Sequence, residues 1–187
     1  MLKKLPTYFE LTARIHVFLL LNVYGWGKIA GGQFYSKGQL PADIASLPIS
    51  EIGGFDLLWT FMGYSYIYIL FVGISQIIGA WLLLWNRTKL LGVAILIPIL
   101  SNIIILDALF FEGLALGALA SAVVYFSLLM YILYFNRIQV KVILEKILTP
   151  LRKNSIERPR WQQILIALSL FVVSFGLEQL IINALGH

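Results

Sequence analysis

Charged and amide side chains interrupt the long apolar stretches of this sequence, and the chemistry they offer is hydrogen bonding and charge pairing. Glu10 and Arg14 lie four residues apart, so on a helix they share a face and can neutralise each other. If Arg14 faces inward, its guanidinium can bind a carbonyl oxygen, a quinone oxygen or a lipid phosphate. Alternatively, its long side chain extends to the water at the membrane surface.

Further polar residues lie in or next to the first three long apolar stretches of the sequence. At about 100° per residue, Lys28 lies about 40° from Arg14 around the first helix. Gln76 and Asn102 offer amides, and Asp107 offers a carboxylate at the depth of Lys28. A Lys28–Asp107 pair is therefore predicted, either as a clamp between two helices or as part of a ligand site. The candidate ligand-binding residues are Arg14, Tyr24, Lys28, Gln76, Asn102 and Asp107.

The composition restricts which cofactors this chain can hold. The chain has 187 residues, of which 60% are hydrophobic and 12% charged, and it contains no cysteine. Without cysteine it has no disulfide and no iron–sulfur cluster. Its two histidines, His16 and His187, cannot form both axial ligands of a haem within one membrane bundle, and no ligand spacing resembles a zinc site. We therefore expect no covalently bound cofactor, haem, iron–sulfur cluster or zinc.

The high apolar content, with a mean hydropathy of +0.88, predicts that the polar residues are positioned by membrane-spanning helices. A spanning helix needs roughly 20 mostly apolar residues, and five segments meet this requirement. The predicted spans are Tyr8–Gly27, Leu57–Trp85, Leu90–Phe111, Leu114–Phe135 and Ile164–Leu185. The second span is overlong, so residues 53–65 either belong to it or lie in the membrane interface. The predicted fold class is an all-α polytopic membrane bundle.

The basic residues predict how this bundle is oriented. Eleven of the fourteen basic residues lie in the N-terminal segment and in every second connection between spans, which all fall on the same side of the membrane. The positive-inside rule assigns this side to the cytoplasm. The prediction is a multi-pass protein of the inner cell membrane, with its N-terminus in the cytoplasm and its C-terminus outside. The positive charge then reports topology, and no nucleic-acid partner is expected. We predict a four-helix unit at 1–136 with an outer loop at 28–56, a cytoplasmic amphipathic helix and basic linker at 137–163, and a fifth span at 164–187.

Two segments resemble the DoxX-like family of small membrane proteins. They are ARIHVFLLLNVYGWGKIAGGQF and FVGISQIIGAWLLLWNRTKLLGVAILIPILSNIIILD. The resembling features are Arg14, Tyr24, Gly25, Lys28, Gln33 and Phe34, followed by a hairpin with Gly73, Gly79, Arg87, Thr88 and Gly92. The resemblance covers about residues 10–136. It implies a four-helix unit and an association with a subunit of thiosulfate:quinone oxidoreductase and with membrane oxidoreductase complexes. The fifth span departs from the family pattern.

Three functions follow from these residues. The first is an integral membrane subunit that binds a quinone or similar hydrophobic ligand inside the bundle, in contact with the lipid bilayer and with other membrane or redox subunits. Its aromatic residues for stacking are Tyr24, Trp59, Tyr66 and Tyr68. The alternative is a non-enzymatic structural or assembly subunit, and the third is a carrier of lipid or small hydrophobic molecules. Because no nucleophile–base–orienter set is visible, we expect no catalysis by this chain alone.

Overall fold

The structure, a computed structural model, describes residues 5–110, 116–149 and 161–185, and in these ranges the chain is all-α. The predicted features at residues 1–4, 111–115, 150–160 and 186–187, including most of the basic linker, lie outside the described residues. The helices are α1 (Leu5–Ile29), α2 (Ala42–Ala45), α3 (Gly54–Gly63), α4 (Tyr66–Leu82), α5 (Lys89–Phe110), α6 (Leu116–Phe135), α7 (Arg137–Leu148) and α8 (Trp161–Leu185). A 3₁₀ turn at Ile49–Glu51 lies between α2 and α3.

In the described part of the chain, α5 and α6 are each long and apolar enough to cross a membrane, and the α3–α4 pair raises this number to three if it forms one span. The polar residues Glu10, Arg14 and Lys28 set α1 apart from these helices. In α8, the described apolar stretch is the shorter Ile164–Leu180. Length and composition therefore support two to three crossings.

The second predicted span, Leu57–Trp85, is two helices and not one. α3 and α4 meet at a bend of 92°. The break occurs where Ser65 begins α4 by accepting a hydrogen bond from the Tyr68 backbone N–H, at 3.4 Å. Gly63 ends α3 against the Tyr35 carbonyl, where a Cβ would come within 1.9 Å of the oxygen. Residues 53–65, for which the sequence predicts either the membrane interface or part of the span, thus include a helix distinct from α4, because tertiary packing and this cap interrupt the apolar run.

Four helices form a closed ring in the first of two compact units, which comprises residues 1–141. α1 packs against α4, α4 against α5, α5 against α6, and α6 back against α1. Apolar side chains that are almost fully buried fill the centre of the ring, among them Val17, Leu21, Leu96, Leu100 and Leu129. In apolar surroundings such side chains stabilise the bundle through close van der Waals packing.

Glycines let α1 and α4 approach closely. A Cβ on Gly25 would lie 3.1 Å from the Gly73 carbonyl oxygen, and one on Gly73 would lie 3.0 Å from the Gly25 oxygen. Small residues at such crossings allow backbone contact between helices in apolar surroundings. The glycines that mark the family resemblance therefore have a packing role here.

The second unit comprises residues 142–187 and contains α8. The sequence boundary between the units falls inside α7, five residues beyond the predicted edge at residue 136. The predicted amphipathic helix matches α7, which exposes apolar side chains such as Ile147 and Leu148.

Candidate functional site

A cavity of about 640 Å³ lies within the first unit, and its walls come from α1, α3, α4, α5, α6 and the segment after α1. Apolar side chains such as Leu58, Met62 and Leu100 form most of its surface. Tyr24, Lys28, Gln33, Gln76 and Asp107 contribute polar atoms, together with Ser121 and Tyr125 of α6. Volumes of 300–1,000 Å³ with apolar walls and few polar groups are typical of small-molecule sites.

Lys28 and Asp107 bring opposite charges into this cavity without touching. They are 5% and 8% exposed, respectively, and they interact electrostatically across the cavity. Neither side chain forms a hydrogen bond or a direct ion pair with any described residue. The Lys28 ammonium lies 5.7 Å from the ring centre of Tyr24 and 6.0 Å from that of Phe34, a range at which cation–π attraction is weak.

Gln76 is the most deeply buried polar residue of the cavity wall. It is 1% exposed, and its Oε1 has no hydrogen-bond partner within the described part of the chain. A buried amide atom without a partner costs about 1–3 kcal/mol. Sequence placed Gln76 on α4, whose buried face also carries Gly73 and Ala80, so helix packing turns this amide inward. The site therefore borders a polar group that a bound molecule can satisfy once the amide turns toward the cavity.

Aromatic residues of α3 and of the segment before it close one side of the cavity. The Trp59 ring lies 4.4 Å from Phe55 and 6.0 Å from Phe34, measured between ring centres. The Tyr35 hydroxyl donates a hydrogen bond to Asp56 Oδ1 at 2.9 Å and so ties this segment to α3. Burial of the phenol, followed by this hydrogen bond, raises the pKa of Tyr35 above its ordinary value.

A second buried polar cluster lies toward the opposite end of α1. Glu10 is 1% exposed, and its Oε2 pairs with an Arg14 Nη2 at 3.0 Å. Its Oε1 pairs with Lys89 Nζ at 3.0 Å and accepts a hydrogen bond from Asn136 Nδ2 at 3.1 Å. Arg14 Nη1 donates to the Leu83 carbonyl at 3.2 Å and to Asn86 Oδ1 at 3.0 Å. One carboxylate thus joins α1 to α5 and to the end of α6.

Of the six predicted ligand-binding residues, the structure gathers Tyr24, Lys28, Gln76 and Asp107 around one cavity. It places Arg14 in the polar cluster instead, about 21 Å along the α1 axis from Lys28 at 1.5 Å per residue. Asn102 lies on an exposed face of α5 and does not line the cavity. Five residues turn a helix by about 140°, so Asn102 and Asp107 cannot face the same cavity.

Sequence reasoning missed several residues that the structure uses. Lys89 and Asn136 were not among the site residues predicted from sequence, yet they complete the Glu10 cluster. Tyr125 and Ser121 reach the cavity from α6, where no polar candidate was named. Tyr66 and Tyr68, which were expected to stack on a ligand, do not line this cavity. Ala122, Tyr125 and Leu129 are spaced three and four residues apart, so they share one face of α6. This spacing is the sequence signal that identifies the inner face of that helix.

The fold and the site define a class: an all-α protein with two to three helices able to cross a membrane and a buried, mostly apolar cavity. The chain is 38% identical over 111 residues to the uncharacterized protein YwoB of Bacillus subtilis (strain 168). The match covers 59% of this chain and 66% of YwoB, slightly less than two thirds of that relative's length. No protein-family model matches the chain, and no solved structure matches it.

Proposed function

We propose that this chain is a multi-pass membrane subunit of DoxX-like type that binds a quinone or similar hydrophobic ligand in the cavity between α1, α4, α5 and α6. Its N-terminus lies in the cytoplasm and its C-terminus outside, and it works beside redox subunits that carry out the chemistry. The observation that carries this proposal is the buried Gln76 amide, which lines a 640 Å³ cavity with an oxygen that has no partner in the described chain.

Two further features support a ligand over a simple packing defect. An apolar void would be lined by hydrocarbon alone, whereas this one holds Lys28 and Asp107, whose burial without a direct ion pair in the described chain is costly. The aromatic wall of Phe34, Phe55 and Trp59 offers flat surfaces against which a ring can stack. Together these features fit an amphiphile with a ring and a polar head.

The test compares two amide-to-leucine substitutions in detergent-solubilised full-length protein. Gln76→Leu removes the cavity amide, and Asn102→Leu makes the same change on the exposed face of α5. Binding is followed by quenching of tryptophan fluorescence with an alkyl quinone offered in both redox forms, and Trp59→Phe assigns the signal. Mass spectrometry of gently extracted protein identifies lipophilic molecules that copurify.

The two readouts are expected to move in opposite directions. Gln76→Leu weakens binding by about fivefold to tenfold through a lost hydrogen bond, while it raises the melting temperature because an unpartnered buried amide disappears. Asn102→Leu leaves binding unchanged. Absence of saturable binding in the wild-type protein, together with no copurified ligand, rejects the proposal. A lower melting temperature in Gln76→Leu with unaltered binding rejects the assignment of this residue.

The Glu10 cluster favours the alternative, a structural or assembly subunit. Its ion pair with Lys89 connects residues 79 positions apart, and its hydrogen bond from Asn136 spans 126 positions. Such a cluster specifies how α1, α5 and α6 meet and requires no ligand. If this is the main function, substitutions in the cluster reduce copurification of partner subunits, and substitutions in the cavity do not.

A further inference from the structure

Two charged groups of opposite hydrogen-bonding character line the cavity, and neither has a hydrogen-bond partner among the described residues. The Lys28 ammonium only donates, and an ionised Asp107 carboxylate only accepts. Both line the same cavity and attract each other electrostatically, and no direct ion pair joins them in the described part of the chain, so each can take a partner from a molecule in the cavity. Gln76, with both a donor and an acceptor, lines the same cavity.

From this arrangement we infer that the cavity selects a ligand whose ring carries a hydroxyl group, so that it binds a hydroquinone or phenol in preference to an acceptor-only quinone. One hydroxyl oxygen can accept a hydrogen bond from Lys28 while its proton is donated to Asp107. The inference rests on the proposed ligand-binding function and specifies the head group of that ligand.

A quinone carbonyl satisfies only half of this arrangement. It accepts from Lys28 but has no proton for Asp107, whose carboxylate then stays buried without a donor. A buried polar group left unpaired costs enough to weaken binding by about tenfold or more. A hydrocarbon of the same shape satisfies neither charge and binds more weakly again.

The experiment measures the affinity of the full-length protein for three probes of similar size under anaerobic conditions. The probes are decylhydroquinone, its dimethyl ether, which retains the acceptors but has no O–H, and decylbenzoquinone. We expect decylhydroquinone to bind about tenfold more tightly than the ether, with the quinone close to the ether.

Asp107→Asn tests the assigned role of the carboxylate by replacing a group that only accepts hydrogen bonds with one that can also donate them. The amide can donate, so the ether and the quinone gain a partner and the preference for decylhydroquinone falls to about twofold or less. Asp43→Asn is the matched control, since Asp43 is exposed and outside the cavity, and it keeps the wild-type preference. A general loss of packing would weaken all three probes alike and would not change their ratio.

The outcomes separate this inference from the proposed function. If the ether or the quinone binds the wild-type protein as tightly as decylhydroquinone, the head-group inference is wrong and the ligand-binding function stands. If no probe binds saturably, the head-group inference is wrong, and the ligand-binding function is rejected with it when no lipophilic molecule copurifies. Should Asp107→Asn fail to fold, the wild-type ratio of the three affinities still decides the inference.

Discussion

Replacement of Glu10 by glutamine tests whether the buried cluster holds the bundle together. The substitution keeps the shape of the side chain and removes its charge. In the wild-type protein, Glu10, Arg14 and Lys89 carry a net charge of +1, and Glu10→Gln raises it to +2 in a site where all three residues are at most 7% exposed. Loss of one partner from a buried ion pair costs about 3–5 kcal/mol. For a chain of this size, 3 kcal/mol lowers the melting temperature by roughly 6–12 °C.

The assay is thermal unfolding in detergent, followed by circular dichroism, because the chain has no cysteine for thiol-reactive dyes. Glu51→Gln is the matched control on the exposed 3₁₀ turn, and it leaves the melting temperature unchanged. Adding Lys89→Met to Glu10→Gln returns the net charge to +1, so the double variant is more stable than Glu10→Gln alone. If Glu10→Gln melts within about 1 °C of the wild-type protein, the cluster does not stabilise the bundle.

Two further substitutions test how the segment between α1 and α3 is attached to α3. Gly63→Ala places a Cβ against the Tyr35 carbonyl and lowers the melting temperature. The control Gly27→Ala, whose Cβ would have nothing within 4 Å, leaves the melting temperature equal or slightly higher. If the two variants melt at the same temperature, the close packing of Gly63 against Tyr35 is contradicted. Tyr35→Phe removes the hydrogen bond to Asp56 and costs about 0.5–1.5 kcal/mol. Because the pKa of Tyr35 is raised in the folded state, its contribution is fully present below about pH 10 and is lost as the pH rises further. Urea unfolding between pH 8 and 11 should therefore show a steeper alkaline loss of stability in the wild-type protein than in Tyr35→Phe, and equal slopes would refute this contribution.

Long apolar runs were enough to predict the positions of α1, α5, α6 and α8. The segment Leu90–Phe111 was predicted as one helix, and α5 runs from Lys89 to Phe110 with Pro98 inside it. The excess length of the second span pointed to residues 53–65 as a separate segment, but composition alone did not locate the break, since apolar residues lie on both sides of Tyr64. That break depends on Gly63 meeting the Tyr35 carbonyl, a contact between segments distant in sequence.

The candidate site could be predicted only in part, because sequence spacing shows contacts within one helix but not contacts between helices. Helical spacing placed Arg14 and Lys28 on the same face of α1, and both are buried there. They do not share a site, because about 21 Å separates them along the helix axis. The i, i+4 pair of Glu10 and Arg14 was visible locally and forms at 3.0 Å. The contact with Lys89 was not visible, because it requires knowing which helices are neighbours in the ring.

The tightly packed middle of the bundle has a consequence for proton movement. Val17, Leu21, Leu96 and Leu129, each 0–1% exposed, form a hydrocarbon layer between the Glu10 end and the Lys28 end of α1. Protons travel along waters or titratable groups, and aliphatic side chains supply neither. The layer therefore acts as an insulator. A change of charge in the cavity is therefore not relayed to the Glu10 cluster by the side chains of this layer, and the two polar regions of α1 titrate independently across it.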